Sequence, residues 1–368
     1  MDFSLDALRR EPGPGGDAAA HDAADRLLLD ESAAARAGVD AGDIVVIGDV
    51  SGALALSVAV AAAASVVRVH QDPLSDERAL HANARAFGLA DSVRSLPLTG
   101  DLVRGARLVL LRLPRSLDAL RDIAGLIAAH AASDVAVFAG GRIKHMSVSM
   151  NDVLREHFST VDVTHARQKS RVLIARGPHD GRDPVPARAV HDGVTVCAFG
   201  GVFAGASLDI GTRLLLEHLP APDGRDPFLD LACGSGVVGA TMAVRHPDLR
   251  VYASDESAAA VASARATAAA NGVSERMTVV RDDALSALPD AGASLIALNP
   301  PFHRGAALDE GIAPYLFADA ARVLRPGGEL WTVWNSALQY RPALTRLVGP
   351  TRQVARNPKF TVTASVKR

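Results

Sequence analysis

The sequence predicts an α/β protein made of two tandem domains, each an open, mostly parallel sheet wrapped by helices. Three observations carry this: the length, a repeat at a spacing near half the chain, and a Pro/Gly-rich break between the copies. At 368 residues the chain exceeds one ordinary domain, and two units of roughly 180 residues are the natural division. It is 48% hydrophobic and 22% charged, so each half can bury a core, and disordered and collagen-like classes are excluded. Ile44-Val-Val-Ile-Gly-Asp-Val-Ser-Gly52 lines up with Phe228-Leu-Asp-Leu-Ala-Cys-Gly-Ser-Gly236. Gly177-Pro-His-Asp-Gly-Arg-Asp-Pro-Val-Pro186 has the composition of a linker or surface crossover, and we place the boundary near residue 183. The expected domains are therefore 1–183 and 184–368.

Each copy opens with an apolar strand, a small-residue turn and an Ala/Val helix. In the first copy that helix lies within Val50–Val67, an uncharged run of 18 residues near the lower limit for a membrane span. Its Ala, Ser and Gly content and the strand just before it favour a buried helix packed on a sheet, so a soluble protein is expected. A second strand follows, at Val66–His70 and Val251–Ala253, leading to Asp72 and Asp255. An Ala-rich helix then stops at Phe87-Gly88 and at Asn271-Gly272. Arg107–Leu111 and Ser294–Leu298 are the next apolar strands. Strands alternating with helices of about a dozen residues imply right-handed crossovers and a parallel sheet in each half. In the second half Arg325-Pro-Gly-Gly328 turns the chain into a strand at Leu330–Val333, and Thr361–Val366 closes the sheet as its last strand.

The copies differ at the loop positions. The second has Asp230, Gly234 and Gly236 in its turn, where the first has Val46, Val50 and Gly52. The second ends its fourth strand in Asn299-Pro-Pro-Phe302, where the first reads Leu111-Arg-Leu-Pro-Arg115. A copy that keeps the core pattern and loses the polar loop residues reads as a scaffold or binding domain. The N-terminal copy is the degenerate one, and the C-terminal half is expected to do the chemistry.

Ligands of open α/β sheets sit outside the carboxyl ends of the strands. Gly234 and Gly236 allow a sharp turn and close approach of a ligand, and Asp255 can accept from a ribose diol. Asp283 stands where an adenine amine can be read. The turn alone is ambiguous: Gly234-Ser-Gly-Val-Val-Gly239 also fits a nicotinamide dinucleotide site, or a tight turn with no ligand. Asp230, inside the first strand's end, favours S-adenosylmethionine, because a carboxylate there suits an amino group and repels a pyrophosphate. Cys233, among small residues, reads as packing.

Asn299-Pro300-Pro301-Phe302-His303 decides the expected chemistry. The prolines stiffen the loop and hold the Asn299 side chain and the Pro300 carbonyl at the strand tip. A planar exocyclic NH2 can donate to both acceptors, which fixes the nitrogen and eases its change toward tetrahedral. Methyl transfer from a sulfonium is an in-line displacement in which positioning supplies most of the rate, and no strong base is needed. Phe302 offers a face for base stacking, and His303 reads as a solvated loop residue.

With these motifs the chain resembles the ribosomal RNA guanine-N2 methyltransferases that carry two tandem methyltransferase-like domains. Phe228–Gly239 is similar to their cofactor motif, Asn299–His303 to their catalytic motif, and Gly201–Leu216 to the segment leading into the catalytic fold. Gly140-Gly-Arg-Ile-Lys144 and Lys169-Ser-Arg171 extend the resemblance over nearly the whole chain. Trp334-Asn335 through Tyr340, then Asn357-Pro-Lys-Phe360, bring it closer to the large-subunit enzymes. The resemblance implies two class I (Rossmann-like) domains and methyl transfer from S-adenosylmethionine to guanine N2. It implies catalytic roles for Asn299, Pro300 and Phe302. It places Asp230, Ala232, Gly234, Gly236, Asp255, Asp283, Asn299 and Thr212 at the cofactor, with Phe203, Asp209 and Gly211 near its methionine end. Ala232 departs from the family, which usually has glycine there, and its methyl is expected to crowd the cofactor.

The formal net charge of −2 excludes a polycation that wraps nucleic acid by bulk charge. Local asymmetry remains: Arg341–Arg368 holds seven Lys or Arg and no acid, and Arg142–Arg176 seven against three. These segments are candidate RNA contacts, with ribosomal RNA or a ribosomal subunit as partner. Two cysteines and the absence of a basic-then-apolar start favour a reducing interior. We expect a cytoplasmic monomer with no metal. Rival readings are N-methylation of a protein glutamine or of adenine N6, a nicotinamide oxidoreductase, and a non-catalytic RNA-binding or assembly factor.

Overall fold

The computed structural model describes residues 3–10, 19–61, 65–224, 226–301 and 311–368. These form two compact units, the first running to Val185 and the second from Pro186 to Arg368.

In the first unit seven strands form one sheet: β1 Ile44–Ile47, β2 Val67–His70, β3 Val93–Ser95, β4 Leu108–Arg112, β5 Ala136–Arg142, β6 Phe158–Val163 and β7 Ser170–Pro178. Their spatial order is β3-β2-β1-β4-β5-β7-β6, parallel except for β7, which runs antiparallel to both neighbours. The second unit begins with a hairpin, β8 Ala187–His191 and β9 Val194–Ala198. It continues with β10 Phe228–Leu231, β11 Val251–Asp255, β12 Met277–Arg281, β13 Ala293–Leu298, β14 Leu324–Asn335, β15 Thr351–Arg356 and β16 Phe360–Val366. The second sheet, β12-β11-β10-β13-β14-β16-β15, repeats the first strand for strand. The repeat read in the sequence is thus a repeat of topology.

Both faces of each sheet are covered by helices, which is why the central strands carry uninterrupted apolar runs. All four residues of β1 and of β10 are buried, Asp230 included. The apolar stretch after β1 contains the eight-residue helix Ala53–Val60, whose Leu54, Ala55 and Leu56 are fully buried. Among the described residues no helix is long and apolar enough to cross a membrane.

Two expectations need correction. Thr361–Val366 lies in β16, but β16 is inserted antiparallel between β14 and β15, so β15 forms the sheet edge. The break after residue 176 is shorter than its composition implies, because Gly177 and Pro178 still belong to β7. Beyond them the backbone N–H of Arg182 donates to the Gly125 carbonyl (3.0 Å), and a Cβ at Gly181 would sit 2.2 Å from the Ala129 nitrogen. That glycine lets the segment lie directly on the helix Leu117–His130.

One edge of β9 is closed by side chains. Asn271 accepts from the Thr195 N–H (2.9 Å) and donates to its carbonyl (2.7 Å). Thr267 accepts from the Cys197 N–H and donates to the Cys197 carbonyl, and Ser263 accepts from the Phe199 N–H. Residues 263, 267 and 271 lie four apart, on one helix face, and stand in for a neighbouring strand.

Candidate active site

The first βα turn of the second unit is held by its own polar groups. Asp230 is only 3% exposed, and its Oδ2 accepts from the Gly239 N–H at 2.8 Å. Burial pushes its carboxyl up to about 7, and the Asp255 charge adds to the rise. Among the described residues no ion pair offsets that burial, and the Gly239 N–H is the group that draws the carboxyl back down. Cys233 is buried, and its thiol is pushed well up by that burial and by the Asp255 and Asp230 charges. It packs and does not act as a nucleophile.

Ala232 has a left-handed φ of 54°. Its counterpart in the first unit is Gly48, with φ 79°. The family glycine missing at 232 is therefore one that the backbone conformation itself favours. Gly234 and Gly236 differ in what they permit. A Cβ at Gly234 would meet nothing within 4 Å, whereas one at Gly236 would lie 2.7 Å from the Ala264 Cβ. Gly236 serves the packing of two helices, and Gly234 leaves open space at the turn.

Asp255, at the end of β11, accepts from the Gly234 N–H through Oδ2 and from the Ser257 N–H through Oδ1, each at 2.9 Å. These two bonds fix the orientation of its carboxylate at the end of the strand. After β12, Asp282 is consumed by its own turn, accepting from the Asp283 N–H, the Ser286 hydroxyl and the Ala287 N–H. Asp283 is the half-buried member of that acidic pair.

The pairing Leu231↔Leu298 brings the turn and the Asn-Pro-Pro tip to adjacent strand ends, with Ala232 beside Asn299. Pro300 is buried. Phe302 and His303 lie outside the described residues. Asn299 Nδ2 donates to Thr212 Oγ1 at 3.0 Å and to Asp209 Oδ2 at 3.5 Å. Asn299 Oδ1 is buried and has no hydrogen-bond partner among the described residues, an acceptor in need of a donor. Asp209 is the N-cap of the helix Ile210–Leu216: its Oδ1 accepts from the Gly211 N–H (2.8 Å) and its Oδ2 from the Thr212 hydroxyl. Cap, third helical residue and strand tip thus form one chain that sets which way the Asn299 amide faces. Phe203, by contrast, is 63% exposed. From the sequence Asp209 reads either as a neighbour of the cofactor's methionine end or as a capped helix start, and the cap is what the fold shows; the hold of Asp209 and Thr212 on Asn299 was not foreseen. The available signal was Asp209-Ile-Gly-Thr212, an N-cap pattern opening a helix.

The first unit has the same clamp with different residues. The β1–β4 pairing Ile47↔Leu111 matches Leu231↔Leu298, so Arg112 stands in the place of Asn299. Asp22 caps the helix Ala23–Ala37, and Asp25 is three residues on; Arg112 is ion-paired with both.

Comparison with known proteins follows this geometry. Residues 3–179 match the RLMG N-terminal domain and residues 193–364 the methyltransferase small domain. A ribosomal RNA large subunit methyltransferase G from Streptomyces avermitilis is 35% identical, over 98% of this chain and 97% of that one. The chain belongs to the ribosomal RNA large subunit methyltransferase G family. Relatives of the same name from Shewanella amazonensis (34% identity; 89% of this chain, 87% of that one) and Pseudomonas aeruginosa (34%; 97% and 96%) agree. In fold, the family member described here superposes on the Thermus thermophilus 16S rRNA N2 G1207 methyltransferase solved with AdoMet and guanosine, with a TM-score of 0.74, 22% identity and 99% of each chain covered. The family resemblance and the tandem class I methyltransferase fold expected from the sequence are both borne out. Family membership also sets aside the nicotinamide oxidoreductase and the non-catalytic factor.

Proposed function

We propose that the second unit transfers a methyl group from S-adenosylmethionine to the exocyclic N2 of a guanine in large-subunit ribosomal RNA, while the first unit holds the RNA. In this reading the enzyme works in the cytoplasm as a monomer. The observation that carries it is the buried Asn299 Oδ1 beside the glycine turn, which has no partner among the described residues. An exocyclic amine supplies the donor this acceptor lacks.

The donor, when bound, offers an electrophilic methyl on a sulfonium. Asp230 faces its amino group, and ion pairing there offsets the cost of a buried carboxylate. Asp255, its carboxylate oriented by the Gly234 and Ser257 N–H groups, accepts from the ribose hydroxyls. Asp283 reads the adenine amine, Thr212 and Ala232 border the methionine end, and Gly234 and Gly236 shape the turn around it. Asn299 Oδ1 and the Pro300 carbonyl accept the two N–H groups of guanine N2, and Phe302 stacks on the base. Drawing both protons toward acceptors turns the nitrogen lone pair toward the methyl. As the new N–C bond forms the C–S bond breaks, and the nitrogen loses its extra proton to water. Holding the amine in line contributes the rate, and Asp209 and Thr212 contribute by keeping the amide oriented.

The test is incubation of the enzyme with labelled S-adenosylmethionine and ribosomal RNA from a strain lacking it, followed by mapping of the modified base. Label at one guanine N2 of the large-subunit RNA is expected. Label on adenine N6 or on a protein glutamine, or no transfer at all, overturns the assignment.

A further inference from the structure

The first unit carries a cavity of about 360 Å3 at the carboxyl ends of β4 and β5, lined by Asp22, Arg112, Leu113, Arg115, Gly141, Arg142, Lys144, His145 and Met146. It lies at the strand end that corresponds to the Asn-Pro tip of the second unit, where Arg112 stands in the place of Asn299. The strand registers explain the space. Arg112↔Gly140 and Leu298↔Thr332 place Gly141 where the second unit has Trp334, a side chain only 2% exposed and packed near Tyr340. A glycine has replaced the largest side chain, and a void lies beside it.

The charges around this void are unbalanced. Four cationic side chains, Arg112, Arg115, Arg142 and Lys144, line it against one acid, Asp22, which is already ion-paired with Arg112 at 3.0 Å. Among the described residues Arg115, Arg142 and Lys144 make no ion pair. Arg115 Nη2 instead donates to His145 Nε2 at 3.3 Å, a bond that leaves the positive charge of the guanidinium uncompensated. Burial, and then the charges of Arg115, Lys144 and Arg142, hold the His145 imidazole below its ordinary value. Arg142 Nε is buried and has no hydrogen-bond partner among the described residues. Clustered guanidinium and ammonium groups that no carboxylate among the described residues pairs with suit a phosphate, and the cavity has the volume of a nucleotide-sized group.

We infer that this cavity, the former catalytic mouth of the degenerate copy, is a phosphodiester-binding site that grips the RNA backbone away from the methylated base. The inference rests on the proposed RNA substrate, but its test reads binding and not methyl transfer. Arg115 and Lys144 are both exposed, so their removal does not threaten the fold. The full chain carrying Arg115→Ala and Lys144→Ala is titrated with transcribed large-subunit ribosomal RNA over a range of salt. An Arg85→Ala/Arg94→Ala variant, equal in charge change and exposed elsewhere on the unit, is the control. Losing two phosphate contacts lowers the slope of log Kd against log salt by about 1 per residue relative to the control, a roughly ten-fold or greater loss of affinity at physiological salt. KM for RNA rises while kcat at saturating RNA holds. Slopes and affinities equal to the control's overturn the inference. So does a variant that binds RNA normally but loses thermal protection by inorganic phosphate or guanosine monophosphate, which would make this a site for a small free phosphate. An Asn299→Ala enzyme that transfers no methyl yet keeps the full salt slope separates this site from the methyl-transfer assignment.

Discussion

Asn299 and Arg112 hold the same place at the end of the fourth strand in two copies of one sheet, and each is gripped by an aspartate N-cap and the residue three positions beyond it. Thr212 and Asp209 grip the first; Asp25 and Asp22 grip the second. One geometry thus serves a neutral amide in one unit and a guanidinium in the other. Around the amide the tip presents an acceptor, and around the guanidinium it presents positive charge.

Removing the Thr212 hydroxyl tests the first grip. Thr212→Val leaves Asn299 Nδ2 without its nearest acceptor, so the amide no longer has one preferred orientation. A lost buried hydrogen bond of about 1–2 kcal/mol corresponds to a fall of roughly ten-fold in kcat. KM for RNA is expected to hold, and Thr212→Ser to restore the rate. Steady-state kinetics on ribosomal RNA reads this directly; an unchanged kcat would show that the clamp is only structural.

Removing Arg112 tests the second. Asp25 has 3% of its side chain exposed, and burial raises its pKa, so it depends on its ion partner. Arg112→Ala is expected to destabilise the first unit by about 3 kcal/mol, because an unpaired carboxylate stays buried. Denaturant unfolding measures the loss, and Asp25→Asn in the same chain should recover part of it.

Ala232 costs the fold something at its left-handed φ. Ala232→Gly relieves that strain, partly offset by the freer unfolded chain, for a net gain of about 0.5–1 kcal/mol. If its methyl also crowds the cofactor, calorimetric titration with S-adenosylmethionine will show tighter binding in the same variant.

Asp230 sets a pH dependence for the enzyme without ligand. Its folded pKa, about 7, lies above the ordinary carboxylate value of 3.8. The folded state therefore binds the proton more tightly than the unfolded one. This contribution to stability is fully present below about pH 4 and is lost as pH rises through 7, at on the order of 1 kcal/mol per pH unit. Asp230→Asn should flatten that part of the melting-temperature profile. A cationic ligand should flatten it too, by favouring the ionised carboxylate.

Much of the architecture was legible because it is repeated and local. Apolar strands, small turns and Ala-rich helices recur in both halves, and the helices after β2 and β11 end where the sequence stops them. The order of the last two strands was not legible: β15 is an edge strand with Arg352 and Gln353 exposed, and its weak alternation gives no sign of where β16 inserts. At the candidate site, Asp230, Gly234 and Asn299 stand in contiguous motifs whose strands are neighbours, so their proximity follows from the order of the sheet. The clamp does not, because Asp209 and Thr212 are 90 and 87 residues from Asn299 and meet it only through folding. Asp282 and Asp283 are indistinguishable by spacing, and only the turn shows which one it consumes. Phe302 falls outside the described residues.

The seal that Asn271, Thr267 and Ser263 place on β9 also bears on behaviour in solution. A two-stranded ribbon with bare amide groups along its rim invites another molecule to zip onto it, the first step toward insoluble assemblies. Here three small polar side chains occupy those groups along β9, so that rim offers no open ladder to a second copy of the chain.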